Sequence, residues 1–139
     1  MRNAIKAGCD TIEHGFGLNR ADVDLMVSKG LFFDPTLTRY TEPYMDDNDA
    51  KNTGGKYRMI PIFEKAVTMA SATTGIKLMV GSGADGATLP HGTQAQEFVN
   101  LVKHAGVSPA KVIQAGTITN ATAMGWQDQI GSEIGRAHV

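Results

Sequence analysis

Three short strand-like segments, residues 11–14, 31–33 and 76–80, each follow a helix-like stretch that stops at a glycine. The stops are Gly8, Gly30 and Gly75, and glycine is the residue that most readily takes the left-handed turn ending a helix. Ala4, Ile5 and Ala7 read as the end of a first helix. Residues 20–29 show the helical period clearly, with Asn19 as a cap and Val23, Met26 and Val27 on one stripe. A further helix is expected from about Tyr57 to Thr74, with Ile62, Phe63, Ala66, Val67 and Ala70 on one side and Pro61 in or just before its first turn. Residues 93–105 are amphipathic through Phe98, Leu101, Val102 and Ala105, and Ser108-Pro109 opens one more helix. Strands alternating with helices predict βαβ units and a parallel sheet, so the fold class is α/β. The apolar run 76–80 is expected to be buried on both faces.

Composition narrows the function classes. With 139 residues the chain has room for one ordinary domain, and 42% hydrophobic with 19% charged residues describes a globular protein. A net charge of -1 and sparse aromatics argue against a nucleic-acid partner and against an anionic membrane surface. No apolar run approaches a membrane span, and the first residues lack the apolar core of a secretory signal. Cys9 is the single cysteine, which excludes an intrachain disulfide and a cysteine-based zinc site and fits a reducing compartment. The polar stretch 38–56, with the acidic cluster Asp46-Asp47-Asn48-Asp49, is either a lid or binding loop or a solvated excursion.

The chemistry-bearing residues gather where strands end. Ile12-Glu13-His14-Gly15 and Val80-Gly81-Ser82-Gly83-Ala84-Asp85-Gly86 each put one metal-competent side chain at a strand-to-loop junction. In a barrel of parallel strands, that end carries catalytic groups. Both residues have a plain structural alternative: His14 as a hydrogen-bonded core or surface residue, Asp85 as a carboxylate holding its own turn. Glu13 points to the opposite side of its strand and is not counted as a ligand. His91 lies on the same loop side and is a candidate for contacting substrate. Gly81, Gly83 and Gly86 also match the dinucleotide-binding spacing, but residues 87–92 intervene where a helix should open at once, and the acidic residue at the end of a following strand is missing. Ser82 has no visible base, and His104 near a helix C-terminus needs no further role.

Taken together, these motifs resemble the amidohydrolase superfamily, in its imidazolonepropionase-like and prolidase-like branch. Residues 7–15 resemble the sixth-strand segment, Asp34-Pro35-Thr36-Leu37 the seventh-strand exit, and residues 81–85 the eighth-strand signature, with Gly83 and Ala84 between the serine and the aspartate. Pro90-His91-Gly92, Glu97, Ala115-Gly116-Thr117 and residues 125–132 continue the pattern in order. The resemblance implies a partial TIM barrel, roughly the last three βα units of a (β/α)8 fold. It also implies one or two divalent metals, usually zinc (Zn2+), with His14 as a metal ligand and Asp85 as both ligand and general base toward a metal-bound water. The implied substrate is a small molecule or dipeptide-like amide, cleaved at a C–N bond. Gly83-Ala84 requires the loop to bulge if Asp85 is to reach a metal.

The rest of the family's ligand set is absent. The chain has no His-x-His pair, and nothing precedes the sixth-strand segment to supply the lysine of the fourth strand or the histidine of the fifth, while a catalytic zinc normally takes three protein ligands plus water. The chain is therefore expected to be a C-terminal fragment, inert by itself. Residues 1–126 are assigned to the barrel and 127–132 to the start of a return toward a small β-domain. Residues 133–139 back-translate in frame to a sequencing adapter and are expected to be non-native. On that expectation His138 has no function and Met1 is an internal methionine. An isolated three-stranded arc would expose barrel-core side chains and two sheet edges, inviting association. A non-catalytic binding module is the alternative of a different class.

Overall fold

The computed structural model describes residues 2–41, 56–87 and 89–132. The acidic cluster 46–49, Met1, Thr88 and the expected tail 133–139 lie outside the described residues.

Helix α1 (Arg2–Ala7) leads through Gly8 into strand β1 (Thr11–Glu13). Helix α2 (Arg20–Lys29) follows. Its cap forms as expected: the Asn19 side chain accepts the Asp22 N–H at 3.1 Å. Gly30 closes it at φ 67°, donating to the carbonyls of Met26 and Val27. Strand β2 (Phe32–Asp34) runs into a 3-10 helix at Leu37–Tyr40. Helix α3 (Lys56–Ala72) precedes strand β3 (Lys77–Leu78). Pro61 lies inside α3, beyond its first turn, deeper than its sequence context suggested. Helix α4 (Gln96–Ala105) and helix α5 (Pro109–Gln114) come next, the latter capped by the Ser108 hydroxyl, which accepts from the Lys111 N–H. A π-helical turn (Ala115–Thr119) then leads into a short helix α6 (Asn120–Ala123).

The sheet has the order β1-β2-β3, and both pairings are parallel. Thr11, Phe32 and Lys77 stand in one row across it; Ile12, Phe33 and Leu78 stand in the next. The second row is buried and joins one core with Ile5, Val23, Met26, Phe63, Val67 and Leu101, so α1 to α4 all contribute. Burying each large side chain of this kind contributes about 1.5–3 kcal/mol. The first row behaves differently: Thr11 and Phe32 are half-buried and Lys77 is exposed, its ammonium 4.7 Å from the centre of the Phe32 ring. The expectation of burial on both faces is therefore wrong for β3. Its strand alternates, with Leu78 turned into the helix-packed core and Lys77 to the other face.

Gly15 is required where β1 turns away. Its φ is +75°, and a Cβ there would stand 2.4 Å from the Phe33 ring. The backbone must turn hard against the core at this point, so the preceding residue is held at the end of the strand.

Candidate active site at the strand exits

Because the three strands run in one direction, their exits open along one edge of the sheet. The β1 exit carries His14. Its backbone N–H still bonds the Asp34 carbonyl at 2.8 Å, while its φ of 62° breaks the strand's alternation. The imidazole is exposed, packs edge-on to Tyr40 at 5.8 Å, and places Nδ1 2.6 Å from the Thr36 hydroxyl. Thr36 is only 3% exposed and has φ 47°. A β-branched residue at positive φ is strained by roughly 1–3 kcal/mol, and facing strand ends held in this conformation mark a junction set by its surroundings.

The β2 exit carries Asp34, which is buried and accepts N–H bonds from Thr36 at 3.2 Å and Gly81 at 3.0 Å. Glu13 is its cross-strand neighbour. Burial, then the Glu13 charge, push the Asp34 carboxyl up from 3.8 to about 7, against the two N–H bonds that pull it down. Gly81 approaches so closely that a Cβ there would lie 2.0 Å from the Asp34 carboxylate. On the opposite side of the same strand exit, the Asn120 amide accepts the Val80 N–H at 3.1 Å and donates to the Val80 carbonyl at 2.8 Å. Asp34 and Asn120 thus hold consecutive residues of the β3 exit from both sides.

The Gly-rich loop leaves from this clamp. Gly83 lies against Thr36 and Arg39, and Ser82 Oγ accepts the Ala84 N–H at 3.2 Å. Asp85 is exposed; its Oδ1 accepts the N–H groups of Ala87 at 2.9 Å and Leu89 at 3.1 Å. Its Oδ2 lies 4.0 Å from the Arg39 guanidinium. The His91 ring lies beside Gly86, so His91 and Asp85 belong to one loop cluster, and Gln94 contacts the His91 Nδ1 at 3.5 Å. The dinucleotide motif fails in structure as in sequence: the next helix opens only at Gln96. His104 is bound elsewhere, its Nδ1 2.9 Å from Glu64, tying α4 to α3.

His14 and the Asp85 loop therefore share an edge, linked through Thr36 and Arg39. As donors for a metal they supply one imidazole nitrogen and one carboxylate already holding its own loop. Among the described residues no group of three His, Cys, Asp or Glu could hold a metal ion. A catalytic zinc needs three protein ligands, so these residues fit part of such a site and do not complete it.

Several residues that shape this edge carry little sequence signal. Asp34 could have been noticed as a carboxylate at the C-terminal end of the middle strand. Glu97 and Asn120 act over long sequence distances: the buried Glu97 carboxylate accepts the Leu37 and Thr38 N–H groups at 2.7 Å each. Nothing local to either residue announces these partners.

A sequence profile of the amidohydrolase family matches residues 1–135. No curated protein sequence matches significantly. Among solved structures, a Xaa-Pro dipeptidase with methionine bound in its active site is 27% identical with a TM-score of 0.76, over 94% of this chain and 32% of that one. A prolidase complexed with N-methylphosphonate-L-proline is 25% identical with a TM-score of 0.73, over 94% of this chain and 32% of the other. A putative prolidase from Bifidobacterium longum shares the fold with a TM-score of 0.77 at 24% identity, over 94% of this chain and 35% of its own. The chain spans about a third of the length of the solved structures it matches. Its α/β architecture, with three parallel strands, is that of part of a TIM barrel. The chain belongs to the amidohydrolase family.

Proposed function

We propose that this chain supplies the sixth to eighth strands of a metal-dependent hydrolase acting on a C–N bond, with a dipeptidase or carboxypeptidase substrate class. Cyclic-amide hydrolysis of the imidazolonepropionase type is the alternative within the family. The observation that carries the reading is the exposed His14 imidazole at a strand exit, on the same sheet edge as the Asp85 loop. The similar Xaa-Pro dipeptidase and the prolidase bound to a phosphonate of proline support the substrate class.

In this proposal His14 and Asp85 would hold a divalent metal, with zinc the proposed ion, together with ligands from outside the described residues. When bound, the metal would supply Lewis-acid activation of water. Asp85 would carry a proton at its carboxylate, and His91 would contact the substrate from the same loop. With two donors only among the described residues, the 139-residue chain by itself would be inert.

The test compares a longer protein containing this segment with its Asp85→Asn variant, using Xaa-Pro dipeptides and added zinc. Asn keeps an Oδ1 to accept the Ala87 and Leu89 N–H groups, so the loop is preserved while the charge is lost. A fall in kcat of about 100-fold or more is expected. Unchanged turnover would favour the alternative, a structural Asp85, for which its two backbone bonds already speak. Metal-dependent turnover by residues 1–139 alone would overturn the inertness.

A further inference from the structure

The hydrogen bonds around Thr36 fix more than the position of His14. The Thr36 hydroxyl has one proton, and it lies 2.7 Å from the Pro35 carbonyl in donating geometry. Pro35 is a buried residue, and the Thr36 hydroxyl supplies a donor to its carbonyl oxygen. With its proton committed there, Thr36 Oγ1 can only accept from His14 Nδ1, 2.6 Å away. A neutral imidazole that donates at Nδ1 has its lone pair at Nε2.

We propose that Thr36 is a positioning residue that holds His14 in the Nδ1–H tautomer, leaving Nε2 as the nitrogen able to bind a metal or accept a proton. Three features prepare the contact. Thr36 is buried and held at φ 47°, its N–H is tied to the Asp34 carboxylate at 3.2 Å, and Gly83 packs against its Cβ. The hydroxyl is thus fixed from three sides, while the imidazole it orients is exposed. A ring nitrogen's role is set by the bond its partner nitrogen makes, and here that partner comes from the neighbouring strand exit. The tautomer follows from these bonds whether or not His14 holds a metal; only its use in hydrolysis rests on the function proposed above.

Long-range 15N–1H correlation spectra of the imidazoles in the 139-residue chain, at alkaline pH and without metal, test the assignment directly. The His14 signals are identified by their loss in His14→Gln. A pyrrole-type signal at Nδ1 and a pyridine-type signal at Nε2 are expected. Thr36→Ser should retain that pattern, and Thr36→Val should move pyridine character onto Nδ1. Thr36→Ala removes the same hydroxyl with less bulk and carries the readout if Thr36→Val does not fold. A wild-type His14 in the Nε2–H form, or an unchanged tautomer in the folded hydroxyl-less variant, overturns the proposal. Neither result depends on turnover, so it can fail while the hydrolase reading stands, and the reverse.

Discussion

Asp34 is the residue whose environment departs furthest from that of an ordinary carboxylate. Its carboxyl is pushed up from 3.8 to about 7 by burial and by Glu13, so the folded chain holds a proton there more tightly than the unfolded chain does. The stability this contributes is complete below about pH 3.8 and is lost as pH rises through about 7. Its size is at most about 4 kcal/mol, from about 1.4 kcal/mol per pH unit over that window. Glu97, raised by burial, acts with the same sign. Asn at position 34 keeps an acceptor for the Thr36 and Gly81 N–H groups and cannot ionise. Asp34→Asn should therefore flatten the fall in stability between about pH 4 and pH 8 and leave the Glu97 contribution in place. Urea unfolding at several pH values measures it, and parallel curves for the two proteins would refute the assignment. The strand-end histidine is legible from one sequence because a short strand between two glycines, Gly8 and Gly15, ends on it. Asp34 carries a weaker signal, because its partners Glu13 and Gly81 become neighbours only when three strands align.

At the level of elements, the helix boundaries were legible where a local capping signal existed. Asn19, Gly30 and Ser108 cap as their positions suggest. The 3-10 helix at Leu37–Tyr40 has no local signal in the sequence, because its stabilising group is distant in sequence. For the 3-10 helix that group is Glu97, fully buried in α4, whose two carboxylate oxygens each take one N–H at the start of the turn. Asn100, one turn further along α4, donates to the Thr38 hydroxyl at 3.0 Å. A carboxylate is the natural partner for a pair of adjacent donors, since both its oxygens accept. Glu97→Gln replaces one acceptor by a donor facing an N–H, and Glu97→Ala leaves both N–H groups buried without it. Losses of about 1–3 kcal/mol per unpaired group are expected, larger for the alanine variant. The check is chemical unfolding together with the amide-exchange rates of Leu37 and Thr38. Unaltered exchange at these two amides would remove Glu97 from its role in fixing the β2 exit.

For the molecule as a whole, the described sheet of three parallel strands presents two outer edges to its surroundings. Exposed strand edges template pairing, and natural sheets block them with side chains or turns. On the β3 side the block is specific: the Asn120 amide bonds both the N–H and the carbonyl of Val80, as a neighbouring strand's peptide group would. Asn120→Leu keeps similar bulk and removes both bonds, costing about 1–3 kcal/mol and opening the edge at Val80. Loss of stability alone also promotes aggregation, so a control is needed that destabilises without touching that edge. Val23→Ala provides one, because Val23 is fully buried in α2, away from the β3 edge. Truncating a buried side chain of this kind costs about 1–3 kcal/mol. When urea is adjusted so that the two variants have equal unfolded fractions, Asn120→Leu should scatter light sooner and at lower concentration. Equal aggregation at matched stability would show that Asn120 contributes only binding energy and does not block the β3 edge.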